Sequence, residues 1–276
     1  MRGTLFYKMT GSGNDFVMLD GRTTSPDRWP PDRVRTICDR RNGIGADGLV
    51  ILTPETAGTV RMSYWNSDGS HGAMCGNGAL CSGRLSVELE LVEAGEFCLL
   101  TDAGTVRVIS RAQSDRAEIQ LPDVDVPREV SLERAPGEHW HVLGTVGVPH
   151  LVVRVEDIEA VDVLGRGKQL RWDRRLGPVG ANVNFTAAPS KPGQPWPIRT
   201  FERGVEGETL ACGTGTVAAA LALGARGEAP LPLSLLSRGG LELTVRASLD
   251  ASRASDIWLG GQGRLVFRGV WEGLEE

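Results

Sequence analysis

Apolar positions along the chain alternate in some stretches and recur at helical spacing in others, and they divide it into short strands and a few helices. In the first half they predict strands near 4–9 and 15–20, a helix near 31–41, strands near 49–53 and 60–65, and a helix over about 76–90. Three strand-like runs follow near 97–101, 104–110 and 117–121, the middle one (TVRVIS) alternating with period two. The order then recurs. Strands near 141–146 and 150–155 lead to a helix near 157–164, strands near 182–187 and 198–202, a helix from 213 to about 226, and strands near 233–237, 241–247 and 256–259.

Both halves read β-β-α-β-β-α-β-β-β, and three local matches support internal duplication. Phe16-Val17-Met18 pairs with Leu151-Val152-Val153, and Gly45-Ala46-Asp47 with Gly180-Ala181-Asn182, both at an offset of 135. Cys75-Gly76-Asn77-Gly78 pairs with Cys212-Gly213-Thr214-Gly215 at an offset of 137. The expectation is an α/β (α+β) fold of two pseudo-symmetric domains, residues 1–121 and 122–262, divided in the Pro- and charge-rich stretch QLPDVDVPREVSLERAPGEH. The terminal segment 263–276, containing RLVFRGVW, is expected to cross back to the first domain, and PSKPGQPWP at 189–197 to be a surface loop.

Composition agrees with two ordinary globular domains: 276 residues, 41% hydrophobic and 24% charged. The most apolar stretch, around 210–225, is too short and too rich in Ala and Gly to span a bilayer. The N-terminal MRGTLFYKMTGSGND has no export-signal pattern, so a cytoplasmic location is expected. Net charge is −5, and the 27 Arg are scattered among acids, which leaves no nucleic-acid footprint. Five Cys without a CxxC pair suit neither a disulfide framework nor a zinc site.

Chemistry concentrates in the two Cys-Gly-x-Gly turns, each between a predicted strand and a predicted helix. Glycine permits close backbone approach there, and the first helical N–H groups have no partner inside the helix. A carboxylate can dock at such a turn, and the same positive field is expected to lower the pKa of Cys75 and Cys212. The helix GTGTVAAALALGA is apolar on all sides, as suits a helix surrounded by sheet, whereas NGALCSGRLSVELEL is amphipathic toward its end. Cys38, Cys81 and Cys98 are read as core residues. Two thiols at equivalent positions of a duplicated unit would face each other across a cleft. With a carboxylate held between them, they suit proton removal beside that carboxylate on one face and proton return on the other.

At these residues the chain resembles the diaminopimelate epimerases, cofactor-independent amino-acid epimerases, along nearly its full length. The matching segments are KMTGSGNDFVMLD (8–20), RRNGIGADGLVIL (40–52), YWNSDGSHGAMCGNG (64–78), GVPHLVV (147–153), GANVNF (180–185) and FERGVEGETLACGTGTVAAA (201–220). The resemblance implies two domains, each a mixed, barrel-like sheet around a central helix, with the active site in the cleft between them. It implies conversion of L,L- to meso-diaminopimelate in lysine and cell-wall precursor biosynthesis, without cofactor or metal. By the same resemblance Cys75 and Cys212 are the acid/base pair, and His150 and Glu202 assist their deprotonation. Gly76, Asn77, Gly213 and Thr214 hold the α-carboxylate; Asn14, Asn66, Asn182 and Arg203 bind the rest of the substrate. The partner is a small amino acid, and a homodimer is compatible with this reading.

Three departures fall near the expected pocket. Val148 stands where the family usually has Asn, Leu80 where it usually has Arg, and the stretch from Arg203 to Cys212 is one residue longer, leaving Glu202, Glu206 and Glu208 as candidates beside Cys212. An altered distal pocket would suit a related racemase, such as one for histidine. Proline racemases carry His where this chain has Asn77, and phenazine-type isomerases lack the paired thiols. A pyridoxal-phosphate enzyme would need Lys8, Lys168 or Lys191 in a phosphate-binding context that none has, and His139-Trp140-His141 lacks a third metal ligand nearby. A non-catalytic amino-acid-binding protein is the remaining alternative.

Overall fold

A computed structural model describes residues 3–272. Residues 273–276 of the segment expected to cross back lie outside the described residues. The chain divides into two compact units, Met1–Gln120 with Gly260–Glu276, and Leu121–Leu259.

The first unit contains β1 (Thr4–Gly11), β2 (Asn14–Asp20), α1 (Pro31–Cys38), β3 (Gly48–Thr56), β4 (Thr59–Asn66) and β5 (His71–Gly72). Then come α2 (Gly76–Glu88), β6 (Gly95–Thr101), β7 (Gly104–Ser110) and β8 (Arg116–Leu121). The second unit contains β9 (Val124–Asp125), β10 (Arg128–Glu129), β11 (Glu138–Val146), β12 (Val148–Val155), α3 (Val163–Arg171), β13 (Asn182–Thr186) and β14 (Trp196–Glu202). It continues through β15 (Gly207–Thr209), α4 (Gly213–Ala225), β16 (Leu233–Ser237) and β17 (Glu242–Leu249). The long β18 (Arg253–Trp271) begins in the second unit and ends in the first.

The same pairing sequence is used twice. In the first unit β1–β2 is antiparallel, β2–β3 parallel, β3–β4 antiparallel, β4–β6 parallel and β6–β7 antiparallel. In the second, β11–β12, β12–β13, β13–β14, β14–β16 and β16–β17 repeat that order. In the first unit β7–β8, β8–β18 and β18–β1 close the sheet into an eight-stranded barrel, so no edge is left open.

Each sheet wraps around one helix. In α4 the run Gly215–Leu223 is buried throughout, because a helix enclosed by sheet meets apolar surface on every side. In α2 burial runs through Gly78–Gly83 but gives way to an exposed Glu88, in keeping with its amphipathic end. A second apolar layer lies outside each sheet. Val17, Leu19, Leu49, Ile51 and Trp65 pack with Val34 and Ile37 of α1; Leu151, Val153, Val183, Phe185 and Phe201 pack with Val163 and Leu170 of α3. Cys38 and Cys81 are buried, and Cys98 is half-buried on β6.

These facing patterns correct the sequence alignment of the halves. At an offset of 135, Val17 would be equivalent to Val152, but Val17 and Leu151 are the residues that share the outer layer. The strands β2 and β3 therefore match β12 and β13 at one residue less, since a single-residue slip reverses every side chain of a strand. The helix expected near 157–164 also moves. Glu159 N–H donates to Asp157 Oδ1 in a local turn that competes with helix, and α3 starts at Val163, capped by Asp162 accepting from Gly165 N–H. Trp196 and Pro197, expected in a loop, begin β14.

Candidate active site

Cys75 and Cys212 are the N-cap residues of α2 and α4, with nearly the same extended backbone: φ −139°, ψ 119° and φ −137°, ψ 108°. Each sulfur therefore lies beside the free N–H groups of its own helix. The N–H groups of Asn77 and Gly78 act on the Cys75 thiol, and those of Thr214 and Gly215 on Cys212, although neither side chain makes a capping hydrogen bond. These contacts favour thiolates, as the sequence suggests. Burial outweighs them, however, and holds both thiols above the ordinary cysteine value. The expected net lowering is thus reversed, because desolvation of a sulfur anion exceeds what two backbone donors and a helix end return. Nearby carboxylates push in the same direction: Asp47 acts on Cys75, and Glu202 on Cys212.

Around Cys75, the amide chain behind α2 is closed at both ends. Asn77 Nδ2 donates to Asn14 Oδ1 at 2.7 Å, and Asn14 Nδ2 donates to Asp47 Oδ2 at 2.9 Å. Asp47 is held by Arg40 at 2.7 Å, and Arg40 also reaches Asp15 at 2.7 Å. Lys8 donates to Asp15 at 2.6 Å and to the Gly45 carbonyl. Although burial is the largest influence on Asp15 and opposes ionisation, Arg40 and Lys8 together bring its carboxyl down to about 2. Asn66 Nδ2 donates to Ser70 Oγ at 2.9 Å, while its Oδ1 accepts from Tyr64 OH at 2.7 Å.

Around Cys212 the three candidate glutamates have different partners. Glu208 is bound by Arg199 at 2.7 and 2.8 Å, and Glu206 pairs with Arg171 at 3.4 Å, which leaves Glu202 as the carboxylate acting on the thiol. Between Arg203 and Cys212 the chain turns with Gly204 at φ 89° and Glu206 at φ 54°. Asn182 Oδ1 accepts from Arg203 N–H at 2.7 Å. Thr214 Oγ1 lies 3.7 Å from Cys212 Sγ.

His150 is fully buried, and burial together with the neighbouring Arg203 brings its imidazole down to about 3, so it is neutral at physiological pH. Asn184 Nδ2 faces its Nδ1 at 3.2 Å, the other end of that amide being committed to Thr200 Oγ1–H at 3.0 Å. Nδ1 is therefore the acceptor and Nε2 carries the proton; Nε2 has no hydrogen-bond partner among the described residues. The folded value lies below the unfolded one, so this group favours the folded state above about pH 6.5 and loses that contribution as the pH falls toward 3. Between pH 7.5 and 5.5 the wild type should lose about 1.4 kcal/mol that His150→Gln retains. Urea unfolding of both proteins at the two pH values checks this; equal slopes would show that His150 is not buried as a neutral group.

Of the residues where the chain departs from the family pattern, Leu80 is fully buried in α2 and belongs to the core. Val148 is half-buried at the start of β12, opposite Val146. Asp47, Tyr64 and Asn184 were not singled out by sequence reasoning. All three lie inside the conspicuous segments 40–52, 64–78 and 180–185, but only their contacts distinguish them from their neighbours. His141, from the rejected metal motif, is buried against Glu138 at 2.8 Å while His139 is exposed. Among the described residues no group of three or more His, Cys, Asp or Glu side chains could hold a metal ion, and no helix is long and apolar enough to cross a membrane.

The fold is shared with solved structures of low sequence identity. A phenazine biosynthesis protein of the PhzF family from Bacillus anthracis superposes with a TM-score of 0.73 at 13% identity, covering 98% of this chain and 99% of that one. A hydroxyproline epimerase from Agrobacterium vitis gives 0.64 at 17% identity, over 100% and 94%. The class is thus the two-domain α+β fold found in epimerases and related proteins. Sequence comparison goes further: the diaminopimelate epimerase family profile matches residues 6–122 and 142–251. The diaminopimelate epimerase of Gemmatimonas aurantiaca is 43% identical over 98% of this chain and 99% of its own length; that of Aquifex aeolicus is 36% identical over 96% of each. The chain belongs to the diaminopimelate epimerase family.

Proposed function

We propose that this chain is an isomerase that converts L,L-diaminopimelate to meso-diaminopimelate by two-base proton transfer at the α-carbon. The observation that carries the mechanism is the placement of Cys75 and Cys212 as N-caps of the two central helices, each thiol beside the unpaired N–H groups of its helix start. In this reading one thiolate removes the α-proton and the other thiol delivers a proton to the opposite face of the carbon. Substrate handedness decides which cysteine is the base, so the reaction runs both ways. N–H groups at Gly76-Asn77 and Gly213-Thr214 would hold the α-carboxylate and stabilise the charge that develops beside it.

Asn14, Asn66, Asn182 and Arg203 would bind the remainder of the substrate. Glu202 would assist Cys212. His150, neutral and with a free Nε2–H, would serve as a hydrogen-bond donor near the reacting groups rather than as a store for the thiol proton. Thiols above their ordinary pKa suit the role: an anion that is costly in the empty site is a strong base once formed, and a thiol that holds its proton is the ready acid. The same reading includes a cytoplasmic enzyme acting as a homodimer. Leu5 of β1 and Leu265, Val266, Phe267 and Val270 of β18 are exposed apolar side chains that a second copy would cover.

Val148 supports one second reading, a related amino-acid racemase with a less polar distal pocket. Incubating the protein in deuterium oxide with L,L-diaminopimelate and, separately, with each of the twenty L-amino acids distinguishes the two. Deuteration at the α-carbon of diaminopimelate alone is the expected result. Exchange with a different amino acid alone would establish the second reading, and no exchange with any would leave a binding protein.

A further inference from the structure

Asn14 and Asn77 form a pair of amides whose two outer partners can only accept. Asn77 Nδ2 donates to the Ser12 carbonyl at 3.3 Å as well as to Asn14 Oδ1 at 2.7 Å, and Asn14 Nδ2 donates to Asp47 Oδ2 at 2.9 Å. Either amide turned the other way would aim its oxygen at a carbonyl or a carboxylate, so both are fixed in one sense. Asp47 is itself locked: its Oδ1 accepts from Arg40 at 2.7 Å, and Asp15 N–H comes to its Oδ2 at 3.3 Å. Two hydrogen-bonding sites are left over. Asn14 keeps a second amide N–H to give, and Asn77 Oδ1, which receives no hydrogen bond among the described residues, keeps lone pairs to accept.

The second unit builds the same helix start without this chain of amides. The strand pair Phe16–Gly48 recurs there as His150–Asn182, which puts Val148 in the place of Asn14 and Ala181 in that of Asp47. The Cys-Gly-x-Gly turns put Thr214 in the place of Asn77. None of the three has an amide or a carboxylate, yet α4 runs for 13 residues as α2 does, from the same N-cap backbone. The fold therefore does not need the chain to start a helix.

We infer that Asp47 is a positioning residue for ligand recognition: its charge, passed on through Asn14, holds a donor at Asn14 and an acceptor at Asn77. That pattern is complementary to the carboxylate and ammonium of an amino acid, and its use rests on the function proposed above. The polarity depends on position 47 accepting. Asp47→Asn keeps the shape but commits its remaining oxygen to the cationic Arg40, which turns its NH2 toward Asn14. Asn14 then either faces a second donor or rotates and sets its own NH2 against Asn77, whose Nδ2 is held by the Ser12 carbonyl. Adding Asn14→Asp removes the conflict, since a carboxylate at position 14 accepts from both neighbours.

Water exchange of the Asn77 side-chain amide protons, followed by NMR in the whole chain, reads this polarity without turnover; the signal is identified by its loss in Asn77→Ser. Exchange should be about tenfold faster in Asp47→Asn and return to the wild-type rate in the double variant. An unchanged rate in Asp47→Asn, or one not restored by Asn14→Asp, overturns the relay. Where Asp47→Asn folds poorly, its urea midpoint should recover in the double variant, and a further fall there overturns the relay equally. For recognition, Asp47→Asn should raise KM for L,L-diaminopimelate about tenfold with kcat within about threefold. A fall in kcat with KM unmoved would show that Asp47 does not act through ligand recognition. A wild type that neither epimerises nor exchanges diaminopimelate would instead defeat the proposed reaction, and the Asn77 signal would still decide the relay.

Discussion

Cys75→Ala and Cys212→Ala should each reduce epimerisation at least about a thousandfold, since each removes one of two proton carriers and nothing adjacent can replace it. The neighbouring hydroxyls, Tyr64 beside Cys75 and Thr214 beside Cys212, do not ionise usefully at neutral pH; burial pushes the Tyr64 phenol further up. Both variants should fold, because each cysteine is an N-cap whose side chain makes no capping hydrogen bond to the helix. The measurement is the rate of interconversion from either stereoisomer, beside wash-in of solvent deuterium. Turnover above a few per cent of wild type in either variant would exclude the two-base mechanism.

Gly215→Ala is the second large effect, and its sign is contested by two physical terms. Gly-to-Ala inside a helix ordinarily stabilises by about 1 kcal/mol, because alanine has less backbone freedom to lose. At Gly215 a Cβ would overlap Asn184 Oδ1 and lie 3.2 Å from Cys212 Sγ. Asn184 has no room to yield, being fully buried and bound to Thr200, the Leu151 carbonyl and His150. Steric overlap should therefore win, with a net loss of about 2 kcal/mol and a rate at least about a hundredfold lower, since His150 and Cys212 are displaced together. Chemical denaturation and the exchange assay measure the two effects. A more stable, active variant would show that the amide cage around His150 is soft.

The parts legible in the sequence are those set by short-range pattern. The two Cys-Gly-x-Gly turns opening helices, the apolar helix GTGTVAAALALGA and the repeated strand order all follow from residues a few positions apart. The illegible parts are pairings between distant residues. No spacing shows that Arg199 takes Glu208 and Arg171 takes Glu206, so that Glu202 is left to act on Cys212. Similarly, Tyr64 and Asn184 look like ordinary strand residues until the glycines that seat the one, and the imidazole that faces the other, are in place.

From its sequence alone this chain is specified as a duplicated α+β protein with a cysteine at the start of each central helix, because hydrophobic period, glycine and helix-capping preferences act over a few residues. Tertiary structure decided the ionisation of those cysteines. The helix ends and their N–H groups favour thiolates, as local chemistry suggests, but burial inside a barrel assembled from strands far apart in the chain desolvates both sulfurs and dominates. It also decided which faces of the two halves correspond, since the side a strand residue occupies depends on what the sheet is packed against.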